Sequence, residues 1–503
     1  MRITNSMITE HSKTNINSVK QMVDKYNDQM TSQKKISRPS DDPVVAIRSL
    51  RLRGTLNEVN QYYTKNIPDA ESWLDVTEGS LGNMKEILRD IYKQCVNGST
   101  DTLTAEDRNA LVKNLVSLKK QLYEEGNSDC AGRTIFTGHK TDTTLTFQNV
   151  TARAKYQITQ SFSISSVESK RYYADEIQVP ATEAGIQGGI KLEDEMKEVQ
   201  NDRIRLAYGE TSGGVLPIIQ AGGVPITVET KTYADWKKAD FAVDPDKTLY
   251  IPETGEVVFG KNVSDKLKAD ALANPDMKID ITYQKQGFSK GDVKPEMYFN
   301  CKDITDAVDL NDTAHIIDYH KEAQTIDYTV SANQTLSVNT QAGEDGILST
   351  SIGRVIDELL ESVNAAISGN AKKEKIESMM KDSKYADDQS QAGLKQWLEA
   401  AQKEKTFADD NLRKLFSSGQ TSFQSYQAVV DLALADTGSR DSRLKLTNTR
   451  MKSQQATVEK LISSNENREA SDILLDYKSA YTAYESALSA ASKANTMSLL
   501  DYL

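Results

Sequence analysis

The side chains best suited to chemistry in this chain stand at spacings that chemistry does not use. His315 and His320 are five apart with Asp318 between them, whereas a zinc pair on one helix face needs a separation of four. His11 and His139 stand alone. Gly138-His139-Lys140-Thr141 ends like a phosphate loop, but that loop needs a glycine directly before its lysine. Asp244 with Asp246, and Asp309 with Asp312, lack the spacing and closing Glu of a calcium loop and read as turns. Cys95, Cys130 and Cys301 are too scattered for a metal knuckle, and three cannot pair off fully. No GxSxG or HExxH occurs, and the run Lys372 to Lys375 is a solvated helix face. No catalytic, cofactor-binding or metal-ligating residue is assigned, and the chain is not expected to be an enzyme.

The 503 residues exceed one ordinary core, so two or three domains are expected. Charged residues at 27% and hydrophobic ones at 38% suit a protein rich in solvated helix. A net charge of -12 argues against nucleic acid as a partner, because a polyanion calls for a basic surface. No run approaches the roughly 20 apolar residues that span a bilayer. The opening MRITNSMITEHSKTN has no apolar core, so it is not a Sec signal peptide.

Three regions differ in period. Residues 1–40 form an N-terminal helix and residues 41–140 the first part of a helical rod. In the first helix Ile16, Val19, Val23, Tyr26 and Met30 step by three and four onto one face. Pro39 and Pro43 interrupt it, and Asp41 or Asp42 can cap the next helix with Pro43 in its first turn. That helix carries Val45, Leu52, Leu56, Val59, Tyr63 and Ile67, and the chain resumes after Pro68. Ala70, Leu74, Thr77, Leu81, Met84, Leu88, Ile91 and Cys95 then keep a heptad seam for nearly four repeats. Thr104 and Asp107 read as a capping box. Residues 141–345 alternate with period two and form an inserted β-rich domain. Its clearest hairpins join Leu249–Ile251 to Val257–Phe259, and Ile326–Val330 to Leu336–Val338. Residues 346–464 return to the rod, with a charged, solvated helical excursion at about 368–420. Residues 465–503 form a last helix. The fold class is α+β multidomain: a long-helix coiled-coil bundle built from both chain ends, with the β domain inserted.

The end helices carry matching seams, the last through Ile473, Tyr477, Ala480, Tyr484, Ala487 and Ala491, flanked by Leu474, Tyr481 and Leu488. The last helix lines its seam with Ala and Tyr rather than Leu and Ile, and isolated helices need tertiary burial to persist. Residues 1–35 and about 465–503 are therefore expected to be mobile in the monomer and to order when subunits stack. The opposing reading is a coiled coil within one chain, which heptads alone do not exclude. The predicted subunit contacts are Ile16, Val19, Val23, Tyr26, Met30, Ile473, Tyr477, Ala480, Tyr484, Ala487, Ala491, Leu499, Leu500 and Leu503.

Four segments resemble the flagellin superfamily, and within it the hook-associated members at the hook–filament junction. Arg38-Pro39-Ser40-Asp41-Asp42-Pro43 is similar to that branch's Arg-Pro-Ser-Asp-Asp-Pro signature. Gly132-Arg133-Thr134-Ile135-Phe136-Thr137-Gly138 resembles the Gly-Arg-Tyr-Leu-Phe-Ala/Ser-Gly stretch that closes the N-terminal helical domain, with Thr134 in place of Tyr. Gly438-Ser439-Arg440 is similar to a Gly-Ala-Arg that opens a long C-terminal helix, and Ser498 to Leu503 to a Ser-Leu-Leu-Asp-Tyr-Leu terminus. The resemblance covers about 1–140 and 425–503.

It implies a structural junction protein of the bacterial flagellum, placed outside the cell and exported through the flagellar type III apparatus. The partners implied are copies of itself in a ring, a neighbouring hook-associated protein, flagellin, and an export chaperone before secretion. No cofactor is implied. The alternatives are a filament flagellin, or a secreted adhesin-like protein acting through the β domain.

Overall fold

A computed structural model describes residues 5–174, 177–190, 197–212, 214–307 and 314–496, the side chains of 5, 174 and 494–496 excepted. Its helices are α1 (Asn5–Ser32), α2 (Pro43–Gln61), α3 (Ile67–Gly98), α4 (Ala105–Glu125), α5 (Glu183–Gln187), α6 (Tyr233–Lys238), α7 (Lys261–Ala273), α8 (Pro295–Tyr298), α9 (Thr350–Met380), α10 (Asp388–Glu466) and α11 (Ala470–Thr496). Long helices from both ends flank a β-rich insertion, as expected from the change of period. None of these helices is long and apolar enough to cross a membrane.

The chain divides into two compact units. The first comprises residues 1–71, 328–336 and 441–503, the second 72–327 and 337–440. In the first, Asp42 caps α2, its carboxylate accepting from the amides of Val44 and Val45, with Pro43 in the first turn. Pro68 does not interrupt the chain as expected. A π-helical turn, Tyr62–Asn66, precedes it, and Pro68 falls in the first turn of α3, where the absent N–H is not missed. The hairpin Asp327–Ser331 with Gln334–Ser337 groups with this unit rather than with the other strands of 141–345. It is held by Asn66 Nδ2 donating to the Thr329 carbonyl at 2.7 Å and by Arg450 Nη2 donating to Gln334 Oε1 at 2.6 Å.

The second unit has its core where the seam demanded one. From Leu74 to Cys95 every seam position of α3 is essentially solvent-free, and burial pushes the Cys95 thiol up to about 12. The Thr104–Asp107 capping box opens α4. A five-stranded sheet runs in the order Glu168–Ala174, Lys197–Arg205, Glu256–Phe259, Thr248–Ile251, Val228–Thr230, containing the first expected hairpin. A six-stranded sheet is centred on Thr151–Phe162 paired antiparallel with Ile279–Phe288. Tyr172, Trp236, Phe241, Leu249, Ile251 and Val258 fill the core on the first sheet.

Under that sheet lies a buried ion network. Arg203, only 2% exposed, meets the Glu358 carboxylate at 2.8 Å and also pairs with Glu256. Arg205 and Lys170 reach Glu358 at 2.7 and 2.8 Å. Burial alone would raise the Glu358 carboxyl, but Lys170, Arg205 and Arg203 together hold it well below the usual range.

The segment 368–420 is not wholly solvated. Ile376, Leu394, Trp397 and Ala401 close over Ile177 and Ile186 in a small core of their own. Its Lys and Asp residues cover the outer face of that packing, which is why composition alone read as excursion.

Candidate functional site

The first unit contains two breaks in helix that are tied to each other. One separates α1 from α2 at 33–42, the other separates α10 from α11 at 467–469. Backbone joins them directly: the Lys35 amide donates to the Glu466 carbonyl at 2.7 Å, and the Arg468 amide to the Gln33 carbonyl at 3.1 Å. Side chains lock the pair. Glu466, 6% exposed, accepts from Arg53 Nε and Nη2 at 2.8 Å each, from Lys34 Nζ at 3.3 Å and from Ser49 Oγ. Arg53, whose hydrogen bonds outweigh an opposing effect of burial, holds the carboxyl down at about 2, with Ser49 and Lys34 assisting. Asn465 Nδ2 donates to the Val45 carbonyl at 3.1 Å, Gln29 Nε2 to the Lys35 carbonyl at 2.6 Å, and Arg468 Nη1 to Gln29 Oε1 at 3.0 Å.

The signature Arg38 to Pro43 shapes the N-terminal break. Asp41 accepts the amides of Ser37 and Arg38 at 3.0 and 2.8 Å, and these bonds lower its carboxyl. Pro39 and Ser40 lie in the same exposed turn, between that clasp and the Asp42 cap.

Beyond the joint, α1 runs antiparallel along α11 within one chain. Their seam is only partly covered. Ile473 and Ala480 are buried, Ile16, Val19, Val23, Tyr26, Tyr477, Tyr484, Ala487 and Ala491 are intermediate, and Met30 is 38% exposed. Two helices of this composition leave apolar surface open. Leu474, Tyr481 and Leu488, seven residues apart, are 43–45% exposed along a second line of α11. Met7, Ile8 and Met22 of α1 are similarly open. Leu499, Leu500 and Leu503 lie outside the described residues.

The remaining signature residues are structural. Gly132 and Gly138 have φ of 78° and 69°. Between them Phe136 is fully buried, its carbonyl accepting the Ala342 amide at 2.9 Å, and the Arg133 guanidinium sits 5.2 Å over the Trp73 ring. His139 donates its amide to Gln324 Oε1 at 2.7 Å, so this loop is occupied by protein rather than shaped for phosphate. Gly438 does not open a helix; it lies inside α10, with open space where a Cβ would be. Nothing upstream breaks the helix, so it starts 50 residues earlier, at Asp388. Arg440 instead ties α10 to the chain, donating to the Asn339 carbonyl at 2.8 Å.

Sequence reasoning did not single out Lys34, Ser49, Arg53, Asn465, Glu466 and Arg468. Their one signal was charge and amide groups flanking two helix breaks, which reads as ordinary solvated surface until the breaks are brought together.

The profile of the bacterial flagellin N-terminal helical region matches residues 3–141. Over those residues the chain is similar to a flagellin-type N-terminal region. Flagellar hook-associated protein 3 of Escherichia coli K12 is 29% identical over 144 residues, 28% of this chain and 45% of that protein. Its counterpart in Salmonella typhimurium LT2 is 29% identical over 143 residues, again 45% of its length. A flagellin of Clostridium tyrobutyricum is 27% identical over 128 residues, 25% of this chain and 34% of that one. The match thus spans a little under half the length of the hook-associated relatives. Among solved structures, a hook-associated protein of Vibrio parahaemolyticus aligns at 14% identity and a TM-score of 0.35 over 85% of this chain and all of its own. One from Legionella pneumophila aligns at 10% and 0.30, over 82% and 97%. Scores of that size fix no position in this chain. The match to the flagellin profile lies on residues 3–141.

Proposed function

We propose that this chain is a structural subunit joining the bacterial flagellar hook to the flagellin filament, through coaxial packing of its N- and C-terminal helices. The observation that supports this most is the unfinished burial of the α1–α11 pair. A within-chain coiled coil meant to stand alone would cover its seam, yet Leu474, Tyr481 and Leu488 form a second heptad line that remains open. Stacked copies would cover it. In this reading α1 and α11, with Ile16, Val19, Val23, Tyr26, Met30, Ile473, Tyr477, Ala480, Tyr484, Ala487, Ala491, Leu499, Leu500 and Leu503, make the contacts of a ring. The joint around Glu466 fixes how the pair leaves the rest of the first unit. The ring's neighbours would be another hook-associated protein and flagellin, and a chaperone would hold the C-terminal helix before export. The chain would work outside the cell, and its role would be mechanical.

A clean deletion in the source bacterium, scored by electron microscopy, tests the reading. Hooks without filaments, with flagellin lost to the medium, are expected. Normal filaments would refute it.

A further inference from the structure

Lys321 has surroundings that suit an amine better than an ammonium. It follows the strand Ile317–Tyr319 at the edge of the six-stranded sheet and lines a cavity of about 560 Å³ in the second unit. Its backbone amide donates to Asn300 Oδ1 at 2.8 Å, which fixes the root of the side chain. At the other end Nζ donates to two backbone carbonyls, that of Met297 in α8 and, at 3.1 Å, that of Ala342. The chain next passes the amine at Gly343, where even an added Cβ would stand 4.0 Å from Nζ.

Among the described residues no carboxylate lies within ion-pair distance of Nζ. The cavity supplies no compensating excess of negative charge. Apart from Lys321 it is lined by three carboxylates, Glu168, Glu344 and Asp345, and three cations, Arg205, Lys278 and Arg354. The flanking His320 and Glu322 are exposed. An ammonium carries three N–H donors and here finds two acceptors. A neutral amine carries two N–H groups and a lone pair, so the same two carbonyls satisfy it completely. Desolvation accordingly brings the pKa of this amine down to about 8.

We propose that Lys321 is a nucleophilic lysine whose lone pair faces the cavity, and that it takes acyl groups from small thioesters and active esters ahead of the exposed lysines. The nitrogen bonds to the acyl carbon and the donor's carbon–sulfur or carbon–oxygen bond breaks. The leaving group departs with its electron pair, and the surplus amine proton passes to solvent. The resulting amide keeps one N–H, so one of the two carbonyls loses its donor.

Trace labelling of the folded full chain with N-hydroxysuccinimidyl acetate, and separately with the thioester S-acetyl-N-acetylcysteamine, tests this. Peptide mass spectrometry gives a rate for each lysine. At about pH 7.5 roughly a quarter of the Lys321 amines are neutral, against about 0.1% for an ordinary lysine. A less basic nucleophile attacks more slowly, which gives back part of that gain, so a rate about tenfold above the median exposed lysine is expected. The Lys321 rate should level off above about pH 8, while those of exposed lysines climb toward about pH 10. In urea the advantage should vanish. A lysine that serves only to tie the two carbonyls would label more slowly than the exposed ones at every pH, and that result would overturn the proposal. So would a rate that climbs with the exposed lysines without levelling, or an advantage that survives unfolding.

Discussion

Glu466 is the residue on which the joint closes, because one carboxylate serves Arg53, Lys34 and Ser49 and its backbone carbonyl serves Lys35. Glu466→Gln should lower the stability of the first unit by roughly 1–2 kcal/mol, since Arg53 is well exposed and water screens the pair. Differential scanning calorimetry would measure it. The pH dependence follows from the sign of the shift. The folded carboxyl sits at about 2, below its ordinary 4.5, so its contribution is complete above 4.5 and declines as pH falls toward 2. At neutral pH the joint should be indifferent to small changes, and the Gln variant should lose its disadvantage only in strong acid. Gly138 is the second position where one residue decides local structure. A Cβ there would lie 2.3 Å from Gln324 Oε1, the atom that accepts the His139 amide, and φ is 69°. Gly138→Ala should cost about 1–3 kcal/mol, read as a lower melting temperature of the second unit.

At the scale of elements, α11 separates folding from assembly. Its inner line meets α1 through Ile473 and Ala480, while Leu474, Tyr481 and Leu488 look outward. Changing those three to Ser removes little buried area from the single chain. Helicity by circular dichroism should therefore stay within a few per cent of the parent, because surface substitutions are usually within about 0.5 kcal/mol. If the proposed ring is correct, the same variant should be secreted but fail to restore filaments to a deletion strain. Restored filaments would show that this line is not a subunit contact. The long helix α10 teaches a related point. A heptad or a conspicuous glycine identifies helix, but neither tells where a helix stops, and Gly438 sits inside α10 because nothing before it denies the next hydrogen bond.

At the scale of the whole molecule, two units with separate cores should melt in two steps. Glu358→Gln leaves Arg203, Arg205 and Lys170 short of a buried counter-charge, a loss of about 3–5 kcal/mol. Calorimetry should show it lowering the transition of the second unit and leaving that of the first unchanged, the converse of Glu466→Gln. A single merged transition, shifted by both variants alike, would contradict independent units.

Local pattern by itself was enough to determine the class of fold, the buried face of α3, the capping box at Thr104 and both hairpins, because each depends on neighbours within a few residues; it narrowed the cap of α2 to Asp41 or Asp42, and the structure chose Asp42. The resemblance at the N-terminal region rests instead on the order of residues in Arg38 to Pro43 and Gly132 to Gly138. Tertiary structure alone decided the rest. Lys34 and Glu466 are 432 residues apart, and no local pattern announces that two helix breaks meet. The apolar residues of 368–420 are too sparse to declare a core until Ile177 and Ile186 arrive from the insertion.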